Sequence, residues 1–210
     1  MLYQSLNGLQ ITFITLSSII LVLGIYLFLI YPRFIKDNPK NYRLKYYKKI
    51  YSLVFNEDYY LINNFVFRIE DKLLCTIDHI IFGDKFIYLI FDYYYEGALT
   101  GKYNDKSLVL IDNKGKKYYT DNPILISTKV VEKLSLFTSI EKSMFVGISL
   151  INNSSHLSIE NNDNTQVIIN KKNIKSFVHT MEESDVGKIN QNQLNDLVKA
   201  FDKLNKRKIK

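Results

Sequence analysis

The chain has no tryptophan, one cysteine and three histidines, and it carries no charge of either sign from residue 1 to residue 32. A single cysteine, Cys75, excludes an intramolecular disulfide framework and fits a reducing compartment. Its setting in an apolar, strand-like run reads as a small hydrophobe rather than a nucleophile. His79, His156 and His179 share no ligand spacing with one another or with Cys75, so a zinc site has no support. Neither a G-x-x-x-x-G-K-[ST] loop nor a G-x-G-x-x-G turn is present, which leaves no case for a nucleotide cofactor. A Gly-x-Ser-x-Gly elbow is also missing, and there is no internal repeat.

The uncharged stretch is the most informative of these absences. Residues 9–31 read LQITFITLSSIILVLGIYLFLIY, with only Gln, Thr and Ser as polar interruptions. As a helix they reach about 34 Å, enough to cross a hydrocarbon core of roughly 30 Å with some tilt. A cleavable signal peptide needs a positive start, a shorter apolar core and a small-x-small cleavage site. None of these is present, so a permanent anchor is expected, ending at Pro32. Residues 1–8 then form a short non-cytoplasmic N-terminus. Positive charge follows the helix and none precedes it, which predicts a cytoplasmic C-terminal side at a cell membrane.

The formal net charge of +7 is unevenly spread. Segment 33–49 holds Arg33, Lys36, Lys40, Arg43, Lys45, Lys48 and Lys49 against Asp37, and the tail 199–210 holds six basic residues against Asp202. What remains in 50–198 is 15 basic against 19 acidic residues, so bulk charge does not make the central domain a nucleic-acid binder. The first five of the juxtamembrane cations form a membrane-surface cluster, each contributing about 1 kcal/mol near anionic lipid. Setting topology is the other reading of the same cluster.

Beyond a basic linker (32–40), a mixed α/β domain is expected over 41–205, with a basic tail at 206–210. Segment 41–55 spaces Leu44, Tyr47, Ile50, Tyr51 and Val54 as one apolar face of a helix. Residues 59–69, 73–82 and 86–95 read as strands, separated by turns at 70–72 and Gly83-Asp84-Lys85. The last two runs are too apolar and too little alternating for a sheet wetted on one face. A hairpin turns at Asn113-Lys114-Gly115. Asn122-Pro123 opens a helix to about Ile140, with Ile126, Val130, Val131, Leu134 and Phe137 on one face. Strands over 144–151, 155–159 and 165–170, a loop at 161–164 and helices over 171–182 and 188–205 complete the series.

Residues 76–101, TIDHIIFGDKFIYLIFDYYYEGALTG, followed by Asn122-Pro123, resemble the NERD (nuclease-related domain) family. The matching positions are Ile77-Asp78-His79, Gly83, Gly97-Ala98-Leu99-Thr100-Gly101 and Asn122-Pro123. The resemblance implies a restriction-endonuclease-like PD-(D/E)XK fold, a mixed sheet flanked by helices, and metal-dependent nuclease chemistry. That chemistry requires two carboxylates on a divalent cation and a Lys to position the attacking water. Asp78 stands at the family's metal-binding Asp. Counting back from Gly97, the family's Glu falls on Phe91 and its Lys on Tyr93. The family's Gln after Asn-Pro falls on Ile126, and the first-helix Glu has no counterpart in 41–50.

Two readings of the chemistry stay open, with a third for the fold. In one, Asp78 is a remnant bonded to backbone or to a basic neighbour, and the domain is a silent scaffold for DNA or a protein at the membrane face. In the other, Asp92, Glu96 and Lys102 are relocated catalytic groups around Asp78, with Mg²⁺ as the metal. Asp92 is one residue out of register and faces the wrong side of its strand unless a bulge near the tyrosine run re-aims it. The third is an unrelated membrane-associated α/β module.

Overall fold

A computed structural model describes residues 8–29, 37–69, 72–160 and 165–206. The chain divides into two compact units between Asn38 and Pro39. The expected helix end at Tyr31-Pro32, Arg33, Lys36, the turn at Glu70-Asp71, the loop 161–164 and the tail beyond Lys206 lie outside the described residues.

The first unit contains helix α1, Gly8–Leu29. Its segment Gln10–Leu29 has a mean hydropathy of 2.4, is nowhere buried, and is long and apolar enough to cross a membrane. Three of the polar interruptions bond back to the helix's own carbonyls. Thr12 donates to the Gly8 carbonyl at 3.0 Å, Thr15 to Ile11 at 3.0 Å and Ser18 to Thr15 at 2.8 Å. Hydroxyls bonded back in this way expose no unpaired donor to an apolar solvent.

The second unit is an α/β fold with two mixed sheets and four of the five α-helices among the described residues. Helix α2 (Tyr42–Glu57) leads into strands β1 (Tyr60–Ile69), β2 (Lys72–Phe82) and β3 (Ile87–Asp92). After β4 (Ala98–Lys102), β5 (Ser107–Ile111) and β6 (Lys117–Asp121) come helix α3 (Pro123–Thr138), β7 (Phe145–Ile151), β8 (His156–Glu160) and β9 (Gln166–Asn170). Helices α4 (Ile174–Glu182) and α5 (Gln191–Leu204) close the unit.

The larger sheet has the order β1-β2-β3-β7-β9, antiparallel as far as β3 and parallel beyond it. Every residue of β3 and β7 is buried, as their unbroken apolar runs require. One face packs on Val130, Val131 and Leu134 of α3 and on Leu194 and Phe201 of α5. The other packs on Tyr46, Ile50, Leu53 and Val54 of α2 and on Ile174 and Val178 of α4.

The expected face of α2 is corrected here. Ile50 and Val54 are inside, but Leu44, Tyr47 and Tyr51 are exposed and Tyr46 and Leu53 take their place. The helix is apolar on two sides, so spacing alone could not select the buried one. On α3, Ile126 and Phe137 are likewise exposed while Val130, Val131 and Leu134 are buried.

The expected hairpin around Asn113-Lys114-Gly115 forms β5 and β6, and the strand expected over 155–159 forms β8. Rather than extending the first sheet, they join β4 in a second, order β6-β5-β4-β8. Its strand β4 is the glycine-containing stretch Ala98–Lys102. Gly97 just before it has φ +138°, and a Cβ there would overlap the Ile111 carbonyl of β5. The two sheets share a continuous parallel ribbon. Ile87 lies opposite Phe145 in the first sheet and Ala98 opposite His156 in the second, the same offset of 58 residues.

Candidate functional site

Strand alternation slips by one residue where β1 and β2 pass Asn64 and Asp78. Asn63 pairs with His79 and Phe65 with Ile77, while Asn64 between them is left-handed at φ 52°. Ile62, Ile80 and Phe82 face the α3/α5 core on one side of this level, and Phe65, Phe67, Cys75 and Ile77 face the same core on the other. This change of face takes Asp78 off the core face, while the β1–β2 pairing itself shifts register only between Phe67 and Arg68.

Asp78 lines a cleft of about 430 Å³ together with Asp92, Phe91, Tyr93, Arg43 of α2, and Ile126, Lys129 and Lys133 of α3. Asn122 fixes α3 at the cleft. Its side chain caps the helix by accepting from the Ile124 N–H at 3.0 Å, and it donates to the Tyr103 and Asp105 carbonyls, both at 2.8 Å. Pro123 follows at the first helical turn, where its missing N–H costs nothing. Spacing of three and four residues then turns Ile126, Lys129 and Lys133 to one side.

Asp78 Oδ2 accepts from the backbone N–H of Asp92 at 2.9 Å. Asp92 is 8% exposed and, as its register required, lies on the face opposite Phe91, with His79 and Ile90. Its Oδ2 meets His79 Nε2 at 3.2 Å, and Asn63 Oδ1 meets the other ring nitrogen at 2.6 Å. The Tyr47 ring lies 6.3 Å from the imidazole. Asn63 Oδ1 is an acceptor, so Nδ1 carries a proton, and Nε2 either accepts from a protonated Asp92 or donates to an ionised one.

Burial raises the Asp92 pKa above the ordinary aspartate value, against the opposing pull of His79. A carboxyl that holds its proton more tightly folded than unfolded favours the folded state at low pH. Stability is then lost as pH rises from the unfolded value toward the folded one. Asp92→Asn keeps a donor toward Nε2 and removes the ionisation. Its stability, measured by denaturant unfolding from pH 4 upward, is expected to fall less with pH than that of the parent chain. An unchanged pH slope would show that Asp92 titrates as an exposed aspartate.

Arg43 completes the cleft. Its Nε donates to the Tyr42 hydroxyl at 3.1 Å, which, with smaller effects of Asp78 and Asp92, raises its pKa still further. The sequence placed Arg43 in the lipid-facing cluster. Lys129 and Lys133 were missed, although a basic i, i+4 pair beside the apolar stripe of α3 was the available signal. Glu96 and Lys102 do not join the cleft. Glu96 is exposed and accepts from Tyr94 at 3.0 Å, and Lys102 ends β4 in the second sheet. Cys75 borders the cleft but is buried, with its thiol pushed up to about 11 by desolvation.

These groups do not suit a divalent cation. One oxygen of Asp78 holds a backbone N–H, one of Asp92 holds His79, and three cations border the same cleft. Among the described residues no group of three or more His, Cys, Asp or Glu is placed to hold a metal ion. Phe91 and Tyr93 line the cleft where the resemblance would set Glu and Lys.

No family model matches the chain, and no curated protein matches it. A solved structure described as a protein of unknown function, AF1548, is 12% identical over 74% of this chain and 78% of that one, with a TM-score of 0.27. A likeness that weak carries no argument about fold or function.

Proposed function

We propose that the chain is a single-pass membrane protein whose α/β domain is a catalytically silent, nuclease-related binding or scaffold module on the cytoplasmic side. The observation that carries this reading is the cleft wall. Phe91 and Tyr93 line the cleft beside Asp78, at the positions where the resemblance implies a metal-binding carboxylate and a lysine. The order α2–β1–β2–β3–α3–β7 supports a restriction-endonuclease-like core, with the second sheet largely inserted between β3 and α3. Helix α1 supports the anchor, and the basic residues that follow it support the orientation.

The test is a cleavage assay of the full chain in detergent micelles, on plasmid and single-stranded DNA, across Mg²⁺ and Mn²⁺ concentrations. No cleavage is expected. Metal-dependent nicking that disappears in Asp78→Ala would establish the opposite reading, an active nuclease with relocated groups. Proteolysis of sealed cells should spare the domain, while inverted vesicles should expose it.

A further inference from the structure

Helix α2 carries large apolar side chains on the side turned away from the core. Leu44, Tyr47, Tyr51 and Phe55 are 57%, 38%, 52% and 75% exposed. At 3.6 residues per turn they fall within a sector of about 80° and form a row about 16 Å long. The Tyr47 and Tyr51 rings lie 6.0 Å apart, and those of Tyr51 and Phe55 stack at 6.3 Å. A contiguous apolar row on a water-facing surface marks an interaction site.

Charge selects the partner. Lys45, Lys48 and Lys49 flank the row, with no acidic residue on α2 before Glu57. Glu57 itself is paired with Lys175 at 3.4 Å. An aromatic row bordered by cations matches helices that lie in the bilayer interface, apolar side toward the acyl chains and cations at the phosphates. A second copy, packed on the same row about a two-fold axis, would bring the basic flanks together. Residues 30–41 join α1 to α2, a reach of at most about 45 Å.

We infer that α2 lies on an anionic membrane surface, with Leu44, Tyr47, Tyr51 and Phe55 in the interfacial layer and the flanking cations at the lipid phosphates. The inference rests on reading α1 as an anchor, since that keeps α2 within reach of the bilayer.

The lack of tryptophan makes the test direct. Full-length chains carrying Phe55→Trp, Phe28→Trp or Tyr119→Trp are reconstituted into phosphatidylcholine–phosphatidylglycerol vesicles with brominated acyl chains. Phe28 lies on α1, and Tyr119, 82% exposed on β6, reports on the second sheet. Roughly twofold quenching is expected for Phe28→Trp and Phe55→Trp, with none for Tyr119→Trp. Quenching at position 28 but not at 55 overturns the docking of α2 and leaves the anchor standing. Quenching at neither overturns the anchor reading, and this inference with it. Emission from Phe55→Trp that ignores brominated lipid but shifts with protein concentration assigns the row to a second copy and also overturns the inference.

Discussion

Phe201→Ala is expected to destabilise the α/β domain by about 3–5 kcal/mol, the range for deleting a fully buried aromatic side chain. The Phe201 ring is completely buried on α5. It sits 5.7 Å from Phe65 of β1, 5.3 Å from Phe82 of β2 and 6.5 Å from Phe145 of β7. Three strands thus meet one side chain, and aromatic pairs of this kind add about 0.5–1.5 kcal/mol beyond the area they bury. Leu194 is the other buried residue of α5, and Leu197, Val198 and Leu204 pack part-buried around the two, so Phe201 is the largest of the side chains that hold the helix. Just beyond it, Asn205 Oδ1 accepts from the Val66 N–H at 3.0 Å, and the Lys206 N–H donates to the Val66 carbonyl at 2.8 Å. Those two bonds tether the end of α5 to the edge strand. Pulse proteolysis of the full chain across a urea series gives the midpoint shift. A loss below about 1 kcal/mol would mean that α5 is a loosely attached appendage.

Asn152→Leu should cost about 2–4 kcal/mol for a different reason. Asn152 is fully buried just past β7, where the parallel ribbon leaves the first sheet. The Tyr93 N–H still bonds the Leu150 carbonyl at 2.8 Å, but two residues later the backbone ladder gives way to a side chain. Asn152 Oδ1 accepts from the Tyr95 N–H at 2.8 Å, and its Nδ2 donates to the Tyr95 carbonyl at 2.9 Å. The carboxamide does the work of a peptide group across the gap. Leucine fills similar space but strands the buried Tyr95 N–H, while Ser155 Oγ, 2.7 Å away, still serves the carbonyl. Hydrogen exchange should reveal the loss as faster exchange throughout β4 and β8, with β2 and β3 protected longest. Uniform loss of protection across both sheets would instead make them one cooperative unit.

Strands β2 and β3 were legible because a β-branched and aromatic run with almost no alternation has few other solutions. The start of α3 was legible because Asn-Pro supplies a cap and a fixed φ together. Strand β4 was not, since Gly97 and Gly101 at positive φ look like punctuation of a loop until the close approach of β5 is seen. The buried side of α2 was hidden by apolar residues around most of the helix. At the site, the family resemblance pointed to Asp78, while the outward register of Asp92 followed from local strand alternation. Lys129 and Lys133 are some fifty residues beyond Asp78, and only the packing of α3 across the larger sheet brings them to the carboxylates. His79 read as a strand residue, and its bridge between Asn63 and Asp92 depends on register between strands, which a single strand does not encode.

The equal offset of the two strand pairs, Ile87 to Phe145 and Ala98 to His156, makes two connecting segments length-locked. Surface connections usually accept insertions and deletions freely. Here a residue lost between β3 and β4, without a matching loss between β7 and β8, would slide one strand of the second sheet by a position. Leu99, fully buried, would then exchange faces with a neighbour. Natural variation in this chain should therefore place its indels at the Asn113–Gly115 hairpin tip, and keep these two connectors constant in length or changed only in step.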